Sequence, residues 1–373
     1  MKLYTADFET TTIEPAAVWS WGISSIDDPE ECYFGESIDD FMLKCQDLKN
    51  PRLYFHNEKF DGGFIIDWLF QHGFEWRSEK KLCEDFTFTT IISGDGKFYS
   101  ITIYFKKTKK KSVKVEIWDS LKLLNMPVAK IAKNFKLPIL KGEIDYDRHN
   151  VPCEVTQKEW DYLKNDVQIM SIALHMLIPN GLDKMTVGAC AFQDYKDFIG
   201  EKTFKRLFPV LTIEEDAKIR LAYRGGFTYC NPENQDIDHG EGIVLDVNSL
   251  YPYVMSACNL PYGTPLEFDG DYNPAWQSEY PLYILKFRAM FELKDGYIPT
   301  IQLKHSPYFS PTEYVTTTFD PVSGCHIETE LCLTNVDLEL FKEHYKIIYF
   351  EPMGGYMFKA SNTLFSDWVT KWN

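Results

Sequence analysis

Long apolar runs are missing from this sequence. The densest, residues 64–70, is broken by Asp67, and falls far short of the ~18 to 20 consecutive apolar residues that cross a bilayer. No secretory leader is expected either, since Met1-Lys2-Leu3-Tyr4 meets charged Asp7 before an apolar core can form. These absences predict a cytoplasmic protein with no membrane partner. Cysteines are unpaired in pattern: the nine are odd in number, scattered from Cys32 to Cys332, and never at the short spacings of a zinc site. Packed free thiols are expected instead. Internal repeats, low-complexity tracts and long Gly/Ser linkers are also lacking. Basic residues are in deficit, 39 Lys plus Arg against 55 Asp plus Glu, for a net charge of −16. By itself that balance argues against a polyanionic partner.

What is present changes the picture. The 373 residues, 45% hydrophobic and 16% aromatic, supply apolar surface for two or three domains. Charge is unevenly spread, because residues 97–141 hold twelve lysines against Glu116 and Asp119 alone, a local +10. The opening stretch predicts α/β structure. Strands are expected at 3–8, 18–24 and 53–56, with one helix at 37–48 opened by Ser37 and Asp40 and another at 64–72 closed by Gly73. Residues 98–105 and 113–118 read as a hairpin around a solvated lysine loop at 106–111. A long helix is predicted from Thr156, with Glu159 as capping-box partner, to a stop at Pro179, Asn180 and Gly181. Farther on, 243–247 reads as an apolar strand and 214–222, 335–345 and 364–373 as helices; 304–308 is an ordinary surface loop.

Acids stand at informative places in that scheme. Asp7 and Glu9 are two apart on a strand, so both carboxylates face one side. Asp61 follows the next strand at a helix start, where a cap is the plain alternative. Tyr162 and Asp166, at i and i+4 of the long helix, share one face. If Asp7, Glu9, Asp61 and Asp166 meet, their repulsion calls for divalent cations, and an oxygen-only ligand set suits Mg²⁺ or Mn²⁺. Two such ions, about 3.5–4 Å apart, clamp a scissile phosphate and generate the attacking hydroxide. Tyr162 would orient the water, and Lys141 would neutralise charge that builds on the phosphate.

The segments Asp7-Phe8-Glu9, Asn57 to Asp61 and Tyr162 to Asp166 resemble the three exonuclease motifs of proofreading DNA polymerases. With Asp7-Phe8-Glu9-Thr10-Thr11-Thr12, Tyr54-Phe55-His56-Asn57 and Leu140-Lys141-Gly142-Glu143-Ile144-Asp145-Tyr146, the chain is similar to the protein-primed family B DNA polymerases of small tailed bacteriophages. The resemblance implies a ribonuclease H-like 3′-5′ exonuclease domain at 1–187, the first part of a polymerase palm at 188–257, an α+β terminal-protein-region insertion at 258–363, and the start of the fingers at 364–373. It implies that Thr10, Tyr54, His56, Asn57, Phe60, Ser120 and Leu121 grip the 3′ end of a single strand, by stacking among other contacts. Tyr223-Arg224-Gly225-Gly226-Phe227 matches a linker motif, so Tyr223, Gly225 and Gly226 would touch template DNA, the paired glycines allowing close approach or positive φ. Asp246-Val247-Asn248-Ser249-Leu250-Tyr251-Pro252 resembles polymerase motif A. Asp246 at a strand end would hold metal, Ser249 and Leu250 would meet the triphosphate, and Tyr251 would pack on the sugar.

The implied partners are a single-stranded 3′ end, template-primer DNA and a terminal protein primer, in the cytoplasm of a bacterial host. Two later parts of the family pattern do not occur in these 373 residues, the lysine-bearing fingers helix and the Tyr-x-Asp-Thr-Asp segment. The chain is therefore expected to be a truncated polymerase with a complete exonuclease site, dNTP binding only if the polymerase site is completed. A full nucleotidyltransferase, with the remainder supplied by further sequence or a second chain, and a non-catalytic module that binds DNA or terminal protein are the alternatives.

Overall fold

The computed structural model describes residues 1–107, 112–303, 308–310 and 312–372, without the side chains of Lys107 and Ser112. Most of the lysine loop expected at 106–111, nearly all of the 304–308 loop and Asn373 lie outside the described residues. Two compact units, Met1–Asp194 and Tyr195–Asn373, divide the chain.

The first unit is built on one mixed sheet. Its strands are β1 (Leu3–Thr10), β2 (Val18–Ser25), β3 (Cys32–Gly35), β4 (Arg52–Phe55), β5 (Glu75–Trp76), β6 (Thr87–Ile92), β7 (Phe98–Lys107) and β8 (Ser112–Asp119). They lie in the order β3-β2-β1-β4-β8-β7-β6-β5. β1, β4 and β8 run parallel, while β2 and β3 are antiparallel additions on one side. β7 and β8 form the antiparallel hairpin read from the sequence. Alternation along β1 sends Tyr4, Ala6 and Phe8 into an apolar cluster with Phe41, Leu53, Phe55, Ile65 and Leu69, from α1 (Ile38–Asp47), β4 and α2 (Glu58–Gln71). Phe8 meets Phe41 and Phe55 edge-on, with centroids 4.7 and 5.1 Å away.

The opposite parity of β1, Thr5, Asp7 and Glu9, belongs to α4 (Gln157–Leu177). Thr156 and Glu159 form the expected reciprocal capping box, and Gly181 at φ 98° follows the helix stop. The Thr5 hydroxyl donates to the Val167 carbonyl at 2.7 Å, and the Ser24 and Ser171 hydroxyls bond at 2.9 Å. Gly22, opposite Asp7 in the register, permits this approach, since a Cβ there would lie 3.0 Å from Leu163 Cγ. Two short helices, α3 (Val128–Asn134) and α5 (Val187–Ile199), complete the series; Ile131 and Ala132 of α3 pack on Ile169, Met170 and Ala173 of α4.

The second unit has helices α6 (Glu201–Leu207), α7 (Ile213–Arg220), α8 (Leu250–Ala257), α9 (Asn335–His344) and α10 (Ser366–Trp372). Its strands are β9 (Leu260–Phe268), β10 (Leu282–Leu293), β11 (Phe319–Asp320), β12 (Cys325–His326), β13 (Thr329–Thr334) and β14 (Tyr345–Ser361). The antiparallel sheet β13-β10-β14-β9 buries Leu285, Phe287 and Phe291 against Leu338 and Phe341 of α9.

The strand expected at 243–247 does not form. Ile243, Val244 and Leu245 are almost fully exposed, and no described strand pairs with them. Apolar patterning makes a strand only where a neighbour satisfies its backbone polar groups, and none does here. The helix that should follow is present as α8. Asp61 is likewise not a cap: α2 begins six residues earlier than its apolar periodicity suggests, and Asn57, at φ 78°, is the cap residue. No described helix is long and apolar enough to cross a membrane.

A carboxylate cluster on the first strand

The site gathers at the end of β1. One carboxylate oxygen each from Asp7, Glu9 and Asp166 lies within 4.8 Å of the others. Strand parity places the first two on the α4 face, and Asp166 reaches them from the second turn beyond the buried Glu159. Asp61, in the first turn of α2, stands outside this trio but is buried and interacts electrostatically with Asp7 and Glu9. Glu9, Asp61 and Asp166 are 6%, 4% and 3% exposed, so their repulsion is little screened by solvent.

Burial, then the charge of Asp166, pushes the Asp7 carboxyl up to about 7. Burial, then Asp7 and Asp166, pushes Glu9 up to about 9. Asp61 is raised well above the usual carboxylate range, first by burial and then by Asp7. Asp166 is also raised, because burial outweighs the pull of Lys141. Lys141 Nζ donates to Asp166 Oδ2 at 2.6 Å. Burial presses that ammonium downward, but Asp166 and Asp7 overcome it and leave Lys141 above the ordinary lysine value.

The Tyr162 hydroxyl lies 2.8 Å from that of Tyr146. Burial and then Asp166 raise its pKa far above the phenol range, so it is a neutral hydrogen-bonding group at physiological pH. Tyr146 had no role assigned from the sequence. Its place in the Lys141 to Tyr146 segment is a signal only once the tyrosines are seen to meet.

This set fits hard divalent cations. Asp61 Oδ1 and Asp166 Oδ1 are buried without a hydrogen-bond partner, and the donors are all carboxylate oxygen, the chemistry that Mg²⁺ and Mn²⁺ prefer.

The residues expected to grip a strand divide into two groups. Phe60 is 54% exposed, one position before Asp61, and Asn57 is exposed with its amide donating to Asp119 Oδ1 at 3.0 Å. Thr10, His56 and Leu121 are partly exposed. The His56 ring is held between Ser120 Oγ and the Met126 carbonyl at 3.0 and 2.9 Å, and burial lowers its pKa. Tyr54 and Ser120 are the two buried members of the set. Tyr54 is 2% exposed, in a cluster with Ile26, Leu123 and Leu174, while buried Ser120 donates its hydroxyl to the Phe55 carbonyl.

The lysine-rich strip is not one surface. Lys97, Lys114, Lys122 and Lys141 are paired with Asp95, Glu116, Asp119 and Asp166. Lys130, Lys133 and Lys136, in and just after α3, are exposed.

In the second unit, Asp246, Ser249, Leu250 and Tyr251 are all exposed, and Ser249 sits at φ 54° before α8. Tyr223, Gly225 and Gly226 are exposed. Neither glycine has positive φ, contrary to one use read into the pair, and an added Cβ on either would meet nothing within 4 Å. Arg224, just before the glycines and not singled out from the sequence, lines a cavity of about 730 Å³ with Lys286 and Glu330. Its Nε has no partner among the described residues.

The family described as DNA polymerase type B, organellar and viral, matches residues 44–154 and 149–373. The DNA polymerase of Bacillus phage phi29 is 46% identical over 376 residues, covering 100% of this chain and 63% of the phage protein. That of Bacillus phage Nf is 45% identical with the same coverage, and that of Streptococcus phage Cp-1 is 31% identical over 98% of this chain and 64% of its own. The phi29 DNA polymerase complexed with primer-template DNA and incoming nucleotide substrates superposes with TM-score 0.91 at 44% identity, over 100% of this chain and 64% of that one. Its complex with single-stranded DNA gives 0.87 at 44% identity, over 100% and 63%. The chain thus spans just under two thirds of the length of these relatives.

Proposed function

The chain belongs to the organellar and viral type B DNA polymerases, and from that premise we propose that its first unit is a 3′-to-5′ exonuclease acting on single-stranded DNA ends. The observation that carries this is the approach of Asp7, Glu9 and Asp166 to within 4.8 Å, with Lys141 on Asp166. The antiparallel β3-β2-β1 set followed by parallel β4 and β8 supports a ribonuclease H-like domain over 1–187. Asp7, Glu9, Asp61 and Asp166 would hold Mg²⁺ or Mn²⁺. Bound there, the cations supply an ionised water at neutral pH and charge stabilisation at the phosphate. Tyr162, held by Tyr146, orients the attacking water. Lys141 opposes the negative charge that grows on the phosphate oxygens. Phe60 stacks on a base, while Thr10, Asn57 and Leu121 line the path of the 3′ end.

The test is release of mononucleotides from a single-stranded oligonucleotide in Mg²⁺ or Mn²⁺. Purified chain should degrade it from the 3′ end, and Asp7→Ala with Glu9→Ala should abolish this. Tight DNA binding without release in either metal would leave only a DNA-binding module.

That every named relative is a DNA polymerase favours a second activity, protein-primed nucleotidyl transfer in phage DNA replication. Here 188–257 would begin the palm, 258–363 the terminal-protein insertion and 364–373 the fingers. Asp246 would hold metal, Ser249, Leu250 and Tyr251 the dNTP, and Tyr223, Gly225 and Gly226 the template. Because Asp246 lies on exposed backbone without a sheet partner, this chain alone should fail in primer extension. Extension at a measurable rate would support the second activity and refute the expectation that Asp246 is idle in this chain alone.

A further inference from the structure

The loop that delivers Lys141 and Tyr146 to the carboxylates has little structure of its own. Between α3 and α4 it forms one short 3-10 turn, Arg148–Asn150. Among the described residues, no backbone hydrogen bond links 138–147 to a strand or helix. Side chains must therefore hold it in place.

The most buried of these anchors is His149, 7% exposed. One face of its ring stacks on Trp19 of β2, with centroids 3.6 Å apart and planes inclined by 6°. Its Nε2 lies 3.1 Å from Glu159 Oε1. Arg148 Nη1, 3.2 Å from Nε2, donates at 2.6 Å to Glu159 Oε2. We assign the Nε2 proton to the Glu159 bond, so Nδ1 accepts from Cys153 Sγ, 3.6 Å away. Glu159 stays ionised: burial pushes its pKa up, but the Thr156 amide and hydroxyl and Arg148 pull it down to about 2.

These contacts lie where the site needs registry. Glu159, Tyr162 and Asp166 are i, i+3 and i+7, buried along one face of α4. Trp19 precedes Ser20, the residue opposite Glu9 in the β1–β2 register. His149 thus pins the loop at once to the helix that bears Tyr162 and Asp166 and to the strand beside Asp7 and Glu9. A second, exposed clasp adds Thr12, whose hydroxyl donates to Asp147 Oδ1 at 2.6 Å and whose amide donates to Asn150 Oδ1 at 2.9 Å.

We propose that His149 is a positioning residue for the exonuclease reaction: wedged between Trp19 and Glu159, it sets the loop so that Lys141 meets Asp166 and Tyr146 meets Tyr162. The inference rests on the nuclease reading above. It deepens that reading by naming a residue that touches neither DNA nor metal yet governs the lysine.

The experiment pairs kinetics with hydrogen exchange. His149→Ala should lower kcat on a single-stranded oligonucleotide about ten- to a hundredfold, the scale of a catalytic group displaced by an ångström, with KM little changed. Amides at 138–147 should exchange faster while those of β1 do not, which separates loop release from general unfolding. His149→Phe, which keeps the stack on Trp19, should recover most of the rate. Lys141→Ala combined with His149→Ala should lose less than the product of the two single losses, because part of the histidine's effect runs through the lysine. Unchanged kcat and loop exchange in His149→Ala, or additive losses in the double variant, would overturn the proposal. A wild-type chain without nuclease activity would refute the nuclease reading and the catalytic part of this inference together, whatever the exchange data show; an active wild type with an unaffected His149→Ala overturns the positioning role alone.

Discussion

Lys141 crosses 25 residues of sequence to place its ammonium 2.6 Å from Asp166. It is the one cation among the described residues that contacts the carboxylate trio directly. The pair joins an irregular loop to a capped helix, and it balances charge in a site that otherwise holds only acids.

Replacing that cation should damage the chemical step more than binding. Lys141→Ala is expected to cut kcat for single-stranded DNA by roughly a hundred- to a thousandfold, as loss of one preorganised charge does elsewhere, with a smaller change in KM. Single-turnover assays in Mg²⁺ would measure the split. A pure KM effect would assign Lys141 to DNA binding instead.

Metal-free protein should be stabilised by removing its mutually repelling acids. In EDTA at neutral pH, Asp7→Ala with Glu9→Ala should melt at the same temperature as wild type or a few degrees higher, since a stability gain of about 1 kcal/mol moves the midpoint by that much. Mg²⁺ should raise the melting point of wild type, because a ligand that binds only the folded form stabilises it. It should leave the double variant unmoved. Equal metal-induced shifts in both proteins would place the cation elsewhere.

Glu58 offers a test of pH dependence. It is fully buried beside Gly62 in α2, and neither carboxylate oxygen has a partner. Burial, then Asp119, pushes its pKa from 4.5 up to about 9. The folded chain therefore binds a proton there that the unfolded chain releases, so stability falls as pH rises through this window. Glu58→Gln, which does not titrate, should escape that fall. The difference between the two stability curves in denaturant should grow from about pH 4.5 and level off near pH 9, reaching as much as about 3 kcal/mol at neutral pH at 1.36 kcal/mol per unit. Parallel curves would show that Glu58 ionises normally.

Salt should report which lysines meet phosphates. Lys130, Lys133 and Lys136 lie exposed on α3 and just beyond it, whereas Lys114, Lys122 and Lys141 are already engaged with acids. Replacing the first three by Ala should weaken single-stranded DNA binding. It should also flatten the log-affinity against log-salt plot by about 0.7 for each phosphate that no longer meets a lysine. An unchanged slope would move the electrostatic footprint off α3.

Features governed by neighbouring residues were the most legible. Thr156 and Glu159 announce the start of α4 because the capping box closes within one turn. The β1 alternation assigns Asp7 and Glu9 to a common face for the same local reason. The start of α2 was missed, because Asn57 opens it in a left-handed conformation ahead of any apolar periodicity. Tyr54, in a motif that resembles a strand-gripping one, is held in the core by Trp118 and Leu174, residues far away in sequence.

Local rules thus determine the elements, the parity of Asp7 with Glu9 and the shared face of Tyr162 with Asp166, and the motif strings point to the polymerase family. Tertiary structure alone decided which acids meet, which lysines are consumed by ion pairs, and whether the Asp246 segment is a strand. The reason is physical. Periodicity and capping are properties of a few adjacent residues, whereas burial, sheet pairing and a shifted pKa depend on what the rest of the chain brings alongside. His149, unremarked in the sequence, acquires its place only when Trp19 and Glu159 close on it from two different elements.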